Sequence, residues 1–187
     1  MNATFTVNDS GIQSLLSRLS HSMSDMQPAM NDIGMALLMR IEEGFQQGVS
    51  PWGQKWAPLS QATILQRLGS NKANFSKKTG KISAKGKTAA MAGFQILVSS
   101  GILRNSITHQ SDAHSATVGT NVKYAATQQF GAWKGAFGRT RHGAPIPWGN
   151  IPARPFFPIQ NRQVNLPSSW AAQVQEILLR HLQQDRV

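Results

Sequence analysis

The sequence predicts an α+β fold: a small antiparallel sheet, amphipathic helices at the N- and C-terminal ends, and a long basic loop. Apolar residues recur at helical spacing near both ends, in Ile12, Leu15, Leu16, Leu19 and Met23 and in Trp170, Val174, Ile177, Leu178 and Leu182. Between them, Leu103 to His109 and Ser115 to Asn121 flank the turn signal Ser111-Asp112-Ala113-His114, which reads as a hairpin.

The first helical stripe follows Asn8, Asp9 and Ser10, any of which can accept from the free N–H groups of a first turn. A second, longer helix runs after Pro28 through Met30, Ile33, Leu37, Leu38, Ile41 and Phe45, and Gly48 stands where a left-handed C-cap belongs. From Val49 to Ser60 two prolines and a glycine forbid regular structure while Trp52 and Trp56 ask for burial, so this is an ordered loop pinned to the core by Trp56. Ser60 then caps a short helix carrying Ile64, Leu65 and Leu68 and ended by Gly69.

Composition changes between Ser70 and Gly93. Lys72, Lys77, Lys78, Lys81, Lys85 and Lys87 alternate there with small and polar residues, too little apolar surface for the segment to order itself alone. It is expected to be an extended basic arm, at about 70–93, on a single domain spanning 1–187. Tyr124 to Phe130 is a short helical or bent segment ended at Gly131, and 132–150 is a loop rich in Gly and Trp. The three prolines within Ile151 to Ile159 restrict any strand there to an edge. The final helix follows Pro167, with Ser168 and Ser169 as caps.

The formal charge is +11, and no acidic residue falls between Glu43 and Asp112 or between Asp112 and Glu176. Such an excess attracts polyanions, either DNA or acidic protein surfaces, and is equally compatible with a solvated face. For the six lysines of the basic segment, DNA, an acidic partner and solvent are three equal readings. Lysines with almost no aromatic company favour non-specific phosphate contact if DNA is the partner.

Nothing in the chain reads as catalytic machinery. There is no cysteine, which removes disulfides and thiolate chemistry. His21, His109, His114, His142 and His181 show no metal-ligand spacing, and no cofactor is expected. Glu42 and Glu43 are adjacent, so on a helix they cannot face one another across a substrate. No Gly-x-Ser-x-Gly elbow occurs, and Lys78-Thr79-Gly80-Lys81 lacks the spacing of a phosphate loop. The start, Met1-Asn2-Ala3-Thr4-Phe5, has no basic region followed by an apolar run, so no signal peptide is expected, and no stretch is apolar and long enough to span a bilayer.

Aromatic residues beside irregular segments, Trp52, Tyr124, Trp133, Phe137 and Trp148, are candidates for a partner interface or for packing under loops. For Trp133 and Trp148, set among glycines, the interface reading is preferred. Arg154, between Ala153 and Pro155, can offer its guanidinium fork to a neighbour or serve as an intrachain clamp to Glu43 or Asp112; Gln129 is either a core amide or an inter-subunit bond.

Taken in order, several motifs resemble the virion morphogenesis family of tailed bacteriophages, the tail-completion proteins of Mu-like phages. They are Gly48, Pro51, Gly53, Trp56, Leu59, Thr63 and Arg67; Leu97, Gly101, Leu103, Ser106 and Ile107; Val118 to Asn121; Tyr124, Ala125, Gln129 and Gly131; and Ile151 to Phe156. Gln128 stands where the family often has His, so no role of that imidazole transfers. The resemblance implies a structural virion protein rather than an enzyme, located in the tail or neck after assembly in the host cytoplasm. It would form a ring of subunits, six to match the tail, with the tail tube or tail terminator and the head-tail connector as neighbours and genome DNA passing through. On that view Tyr124, Gln129, Trp133, Trp148, Arg154 and Phe156 are subunit or partner contacts. The alternative is a non-specific nucleic-acid-binding protein acting through Lys72, Lys77, Lys78, Lys81, Lys85 and Lys87.

Overall fold

The computed structural model describes residues 26–69, 72–76, 79, 81–91 and 93–184. The helix expected over Ile12 to Met23, and Lys77 and Lys78 of the basic segment, lie outside the described residues. The elements run α1 (Gln27–Gln47), α2 (Gln61–Gly69), a single 3-10 turn (Lys72–Asn74), α3 (Ala84–Met91), α4 (Ile102–Asn105), β1 (Ile107–Ser111), β2 (Ala116–Thr120), α5 (Ala125–Phe130), β3 (Ile159–Gln160), β4 (Gln163–Val164) and α6 (Ser168–Gln184). Helices with two small two-stranded sheets make the fold α+β, as the sequence predicts.

Contacts divide the described chain into two units that alternate along the sequence, one formed by 26–39, 108–119 and 167–184, the other by 40–107 and 120–166. In the first, Ala29 and Ile33 are the buried apolar side chains of the helix start, four apart on one face, and Trp170 is that of α6. The His109 ring meets Asn31 there, Nε2 to Oδ1 at 3.2 Å.

The turn between β1 and β2 is tied by one carboxylate. Asp112 accepts the N–H of His114 at 2.7 Å, the N–H of Ser115 at 2.8 Å and the Ser115 hydroxyl at 2.8 Å. Chiefly through the His114 N–H, these bonds hold its carboxyl below the usual carboxylate range. A folded-state pKa below the unfolded one contributes stability above the unfolded value, lost as pH falls through the folded value. Hydrogen exchange at the Ser115 amide is therefore expected to be slow at about pH 5 and to speed up only below the usual carboxylate range, whereas Asp112→Ala removes the protection at every pH.

In the second unit, Ile41 and Phe45 continue the α1 stripe into a core with Trp56, Leu68, Leu103, Ile107, Ala125 and Phe156, all buried. The Phe45 ring is fully enclosed, 5.3 Å from Trp56 in an edge-to-face pair and 5.4 Å from Phe156. Gly48 ends α1 at φ 67, the left-handed cap expected of it. Ser60 caps α2 by accepting the Thr63 N–H at 3.2 Å.

Two segments differ from expectation. The strand expected from Leu103 begins only at Ile107, because the chain first makes the one-turn helix α4, closed by the Ser106 hydroxyl donating to the Leu103 carbonyl at 2.8 Å. The basic segment expected to be extended holds α3 and the 3-10 turn. Its order comes from polar ties: Asn74, buried, donates Nδ2–H to the Leu68 carbonyl at 2.9 Å, and its own carbonyl accepts the Ser83 N–H at 2.8 Å. The Ser83 hydroxyl accepts the Gly86 N–H at 3.2 Å, capping α3. Composition alone undervalued these few bonds, which anchor a segment without a large apolar face. The second sheet, β3–β4, turns on Asn161 and Arg162 with φ of 51 and 63, a left-handed pair that suits a two-residue hairpin.

Candidate functional site

Within the second unit, the sequence-predicted motifs converge. The Val49 to Ser60 loop, α5 and the Ile151 to Phe156 segment are joined by side chains that each satisfy a neighbour's backbone. The Trp56 indole N–H donates to the Pro155 carbonyl at 2.7 Å. Arg154 donates Nε–H to the Ala57 carbonyl at 2.9 Å and Nη2–H to the Pro58 carbonyl at 3.0 Å. Its backbone N–H reaches the Gln128 carbonyl at 2.8 Å.

Gln129 completes the arrangement. Its Oε1 accepts the N–H groups of Phe156 at 2.9 Å and Phe157 at 3.0 Å, while its Nε2–H donates to the Phe157 carbonyl at 3.0 Å. One amide thus replaces a strand partner for a stretch that the prolines at 152, 155 and 158 bar from a ladder.

These bonds correct three of the interface candidates. Gln129, Arg154 and Phe156 are buried and engaged inside their own chain, so they are architecture rather than contact surface. Of the alternatives for Arg154, the clamp is the one realised, but to loop carbonyls: Asp112 is occupied by its own turn and Glu43 pairs with Arg40 at 3.3 Å. Ala57 and Pro58 present two successive carbonyls, which the planar guanidinium fork spans with Nε and Nη2.

Gly131 makes the junction possible. Its φ is 74, and a Cβ there would lie 2.7 Å from the Ile151 carbonyl oxygen and 2.9 Å from the Ala153 nitrogen. Gly131→Ala is expected to cost about 3 kcal/mol of stability, seen as a lowered thermal midpoint, because both backbone conformation and space exclude a side chain.

The other candidates are exposed. Trp133 and Trp148 are 79% and 76% accessible, Phe137 is 57% and Tyr124 46%. All but Tyr124 ride on the 132–150 loop, which is a built projection rather than slack chain. Ala132 and Ile151 exchange two backbone hydrogen bonds at 2.8 and 3.0 Å, Gly135 N–H donates to Pro147 at 3.0 Å, Phe137 N–H to Ile146 at 2.7 Å and Thr140 N–H to Ala144 at 2.7 Å. Lys134, Arg139, Arg141 and His142, all exposed, surround the aromatic rings. Large apolar rings held out by an ordered backbone are what a partner surface requires.

Among the lysines, Lys81, Lys85 and Lys87 are exposed; the side chains of Lys72, Lys77 and Lys78 are outside the description. Lys85 and Lys87 are two apart on α3 and point to different sides, so the described lysines form no single stripe.

A cavity of about 610 Å³ opens beside the Arg154 clamp. The helix α2 supplies Thr63 and Arg67 to its wall, the α4 turn supplies Ile102, and Tyr124 and Gln128 come from the α5 region. Arg67 is itself placed by donating to the Gln95 carbonyl at 3.0 Å and by the Phe94 ring, whose centroid lies 5.7 Å from its guanidinium carbon. Burial, and second the charge of Arg67, lowers the pKa of Arg154 from the usual arginine value, though an arginine so placed still carries its proton. Among the described residues, no group of three or more His, Cys, Asp or Glu is placed to hold a metal, and no helix is long and apolar enough to cross a membrane.

Set beside known proteins, residues 7–183 match the model of the phage virion morphogenesis family. No curated protein and no solved structure matches the chain.

Proposed function

The chain belongs to the phage virion morphogenesis family and is a phage structural protein, and we propose that it acts as a tail-completion or neck subunit, forming a ring at the head-proximal end of the tail and supporting head-tail joining. The observation that carries this reading is the ordered 132–150 projection, with Trp133 and Trp148 almost fully in solvent. In a ring, each subunit needs one face complementary to a different face of its neighbour, and aromatic rings on a rigid loop meet that need at small entropic cost. Tail tube or tail terminator on one side and head-tail connector on the other are the proposed neighbours, with six copies around the DNA channel.

The excess of cations suits a place beside the exiting genome or an acidic neighbour. A purely nucleic-acid-binding role fits less well, since the described lysines of the 70–93 segment share no face along which a phosphate backbone could run. Deleting the gene from the phage and viewing the lysate by electron microscopy tests the proposal. Separate filled heads and tails, joined again when the protein is supplied in trans, are expected; normal infectious particles without it would sink the idea.

A further inference from the structure

We propose that the 132–150 projection of one copy docks on the solvent face of helix α1 of the next copy, aromatic rings against methionines and cations against carboxylates. The inference rests on the ring reading above and deepens it by naming the two faces that meet.

The projection offers one half of a contact. Trp133, Phe137 and Trp148 stand in solvent beside Lys134, Arg139, Arg141 and His142, and no acidic residue falls between Asp112 and Glu176. Such a surface calls for a partner with both apolar area and negative charge.

Helix α1 offers the other half. It carries three of the chain's eight carboxylates but one of its 19 lysines and arginines, the reverse of the balance elsewhere. Asp32, Met35, Met39, Glu42 and Gln46 follow one another in steps of three and four, so they share one face of the helix, and all five are exposed. The buried positions Ala29, Ile33, Ile41 and Phe45 lie on the opposite side. Met35 and Met39 are 49% and 61% accessible. Methionine adapts its shape to a flat ring, and sulfur against an aromatic edge adds to the burial. Glu43 is held by Arg40 at 3.3 Å, so Asp32 and Glu42 are the carboxylates that bracket the two methionines.

Both faces stand exposed in one chain, and a second copy supplies each with its complement. A projection meeting a helix face is a heterologous contact, the kind that repeats from copy to copy around a ring. Of the remaining carboxylates, Asp112 ties its own turn and Glu176 pairs with Arg180 at 3.0 Å, while Asp9, Asp25 and Asp185 lie outside the described residues. DNA would answer the cations of the projection but not the α1 face, and an acidic protein of another kind would leave Met35 and Met39 uncovered.

The test reverses charge on each face and looks for rescue in the gene-deleted phage. Lys134→Glu with Arg141→Glu turns the projection acidic, and Asp32→Lys with Glu42→Lys turns the helix face basic. All four side chains are exposed, so the purified variants are expected to melt like the parent chain. Each pair alone sets like charges against each other and is expected to lower infectious titre at least about a hundredfold. Both pairs carried in one chain restore opposite charges at every contact, and titre returns toward that of the parent. Supplying the two reversed chains together restores it too, because the copies can alternate around a ring of even number. Neutral versions, Lys134→Gln with Arg141→Gln and Asp32→Asn with Glu42→Gln, are expected to give smaller losses and keep the contact testable if a reversal disturbs folding. Unchanged titre for either reversed pair overturns the proposal. So does a loss that neither combination repairs, which gives the projection to DNA or to another protein. Rescue within one chain alone would place the contact inside that chain, and rescue by the mixture alone would give the two faces separate partners; either sinks the pairing. An unrepaired loss leaves the assembly reading standing, since that reading falls only with normal particles in the absence of the gene.

Discussion

Phe45→Ala is expected to lower the unfolding free energy by about 3–5 kcal/mol, which is about a fifth or more of what a domain of ordinary stability has. The ring is fully buried and lies at the point where helix α1, the Trp56 loop and the Phe156 segment meet. Truncation would remove two aromatic pairs at once and leave a cavity that a proline-rich loop cannot collapse into. The Phe45 carbonyl also accepts the Gln95 side-chain N–H at 3.0 Å, so a shift of the helix backbone would release the segment that leads into α4. Denaturant unfolding followed by tryptophan fluorescence checks this, since Trp56 touches the mutated ring. A midpoint unchanged from the parent chain would mean that the α1 stripe does not organise this unit.

The position of Phe45 was legible in the sequence, because the i, i+4 recurrence from Ile33 through Leu37 and Ile41 fixes which side of α1 turns inward. So were the ends of that helix, the Ser60 cap and the burial of Trp56, since each rests on a local residue preference. The hairpin about Asp112 followed from its turn chemistry. Long-range polar ties were not legible. Nothing in the spacing of Asn74 and Ser83 announces that one will anchor the other, and so the helix α3 was hidden inside what read as a solvated basic stretch. For the same reason Arg154 and Gln129 could be recognised as special but not placed. An arginine held between Ala and Pro looks alike whether its fork meets a neighbour or loop carbonyls 96 and 97 residues away in its own chain. The signal that could have decided it was the shortage of acids, which leaves backbone carbonyls as the available acceptors.

Replacing Trp133 and Trp148 together with Ser is expected to abolish assembly while leaving the fold intact, the reverse of what Phe45→Ala does. Side chains 79% and 76% exposed contribute little to packing, so the thermal midpoint should move by no more than the equivalent of about 0.5 kcal/mol. Their loss from an interface is another matter: each buried tryptophan anchor is worth about 2 kcal/mol or more, and two lost together weaken association by about a thousandfold. In a closed ring that penalty recurs at every contact, so partial assemblies would not persist. The loop's own bonds run through its backbone and through Lys134 N–H to Asn150 Oδ1 at 2.8 Å, none of which depends on either indole. The measurement is complementation of a gene-deleted phage with the double variant, scored as infectious titre beside the soluble yield and melting curve of the purified chain. Full titre would remove the tryptophans from the contact surface. A lost fold would show instead that the projection is held by its rings, whereas a stable chain that cannot rescue particles is the result expected of a surface built for a neighbour.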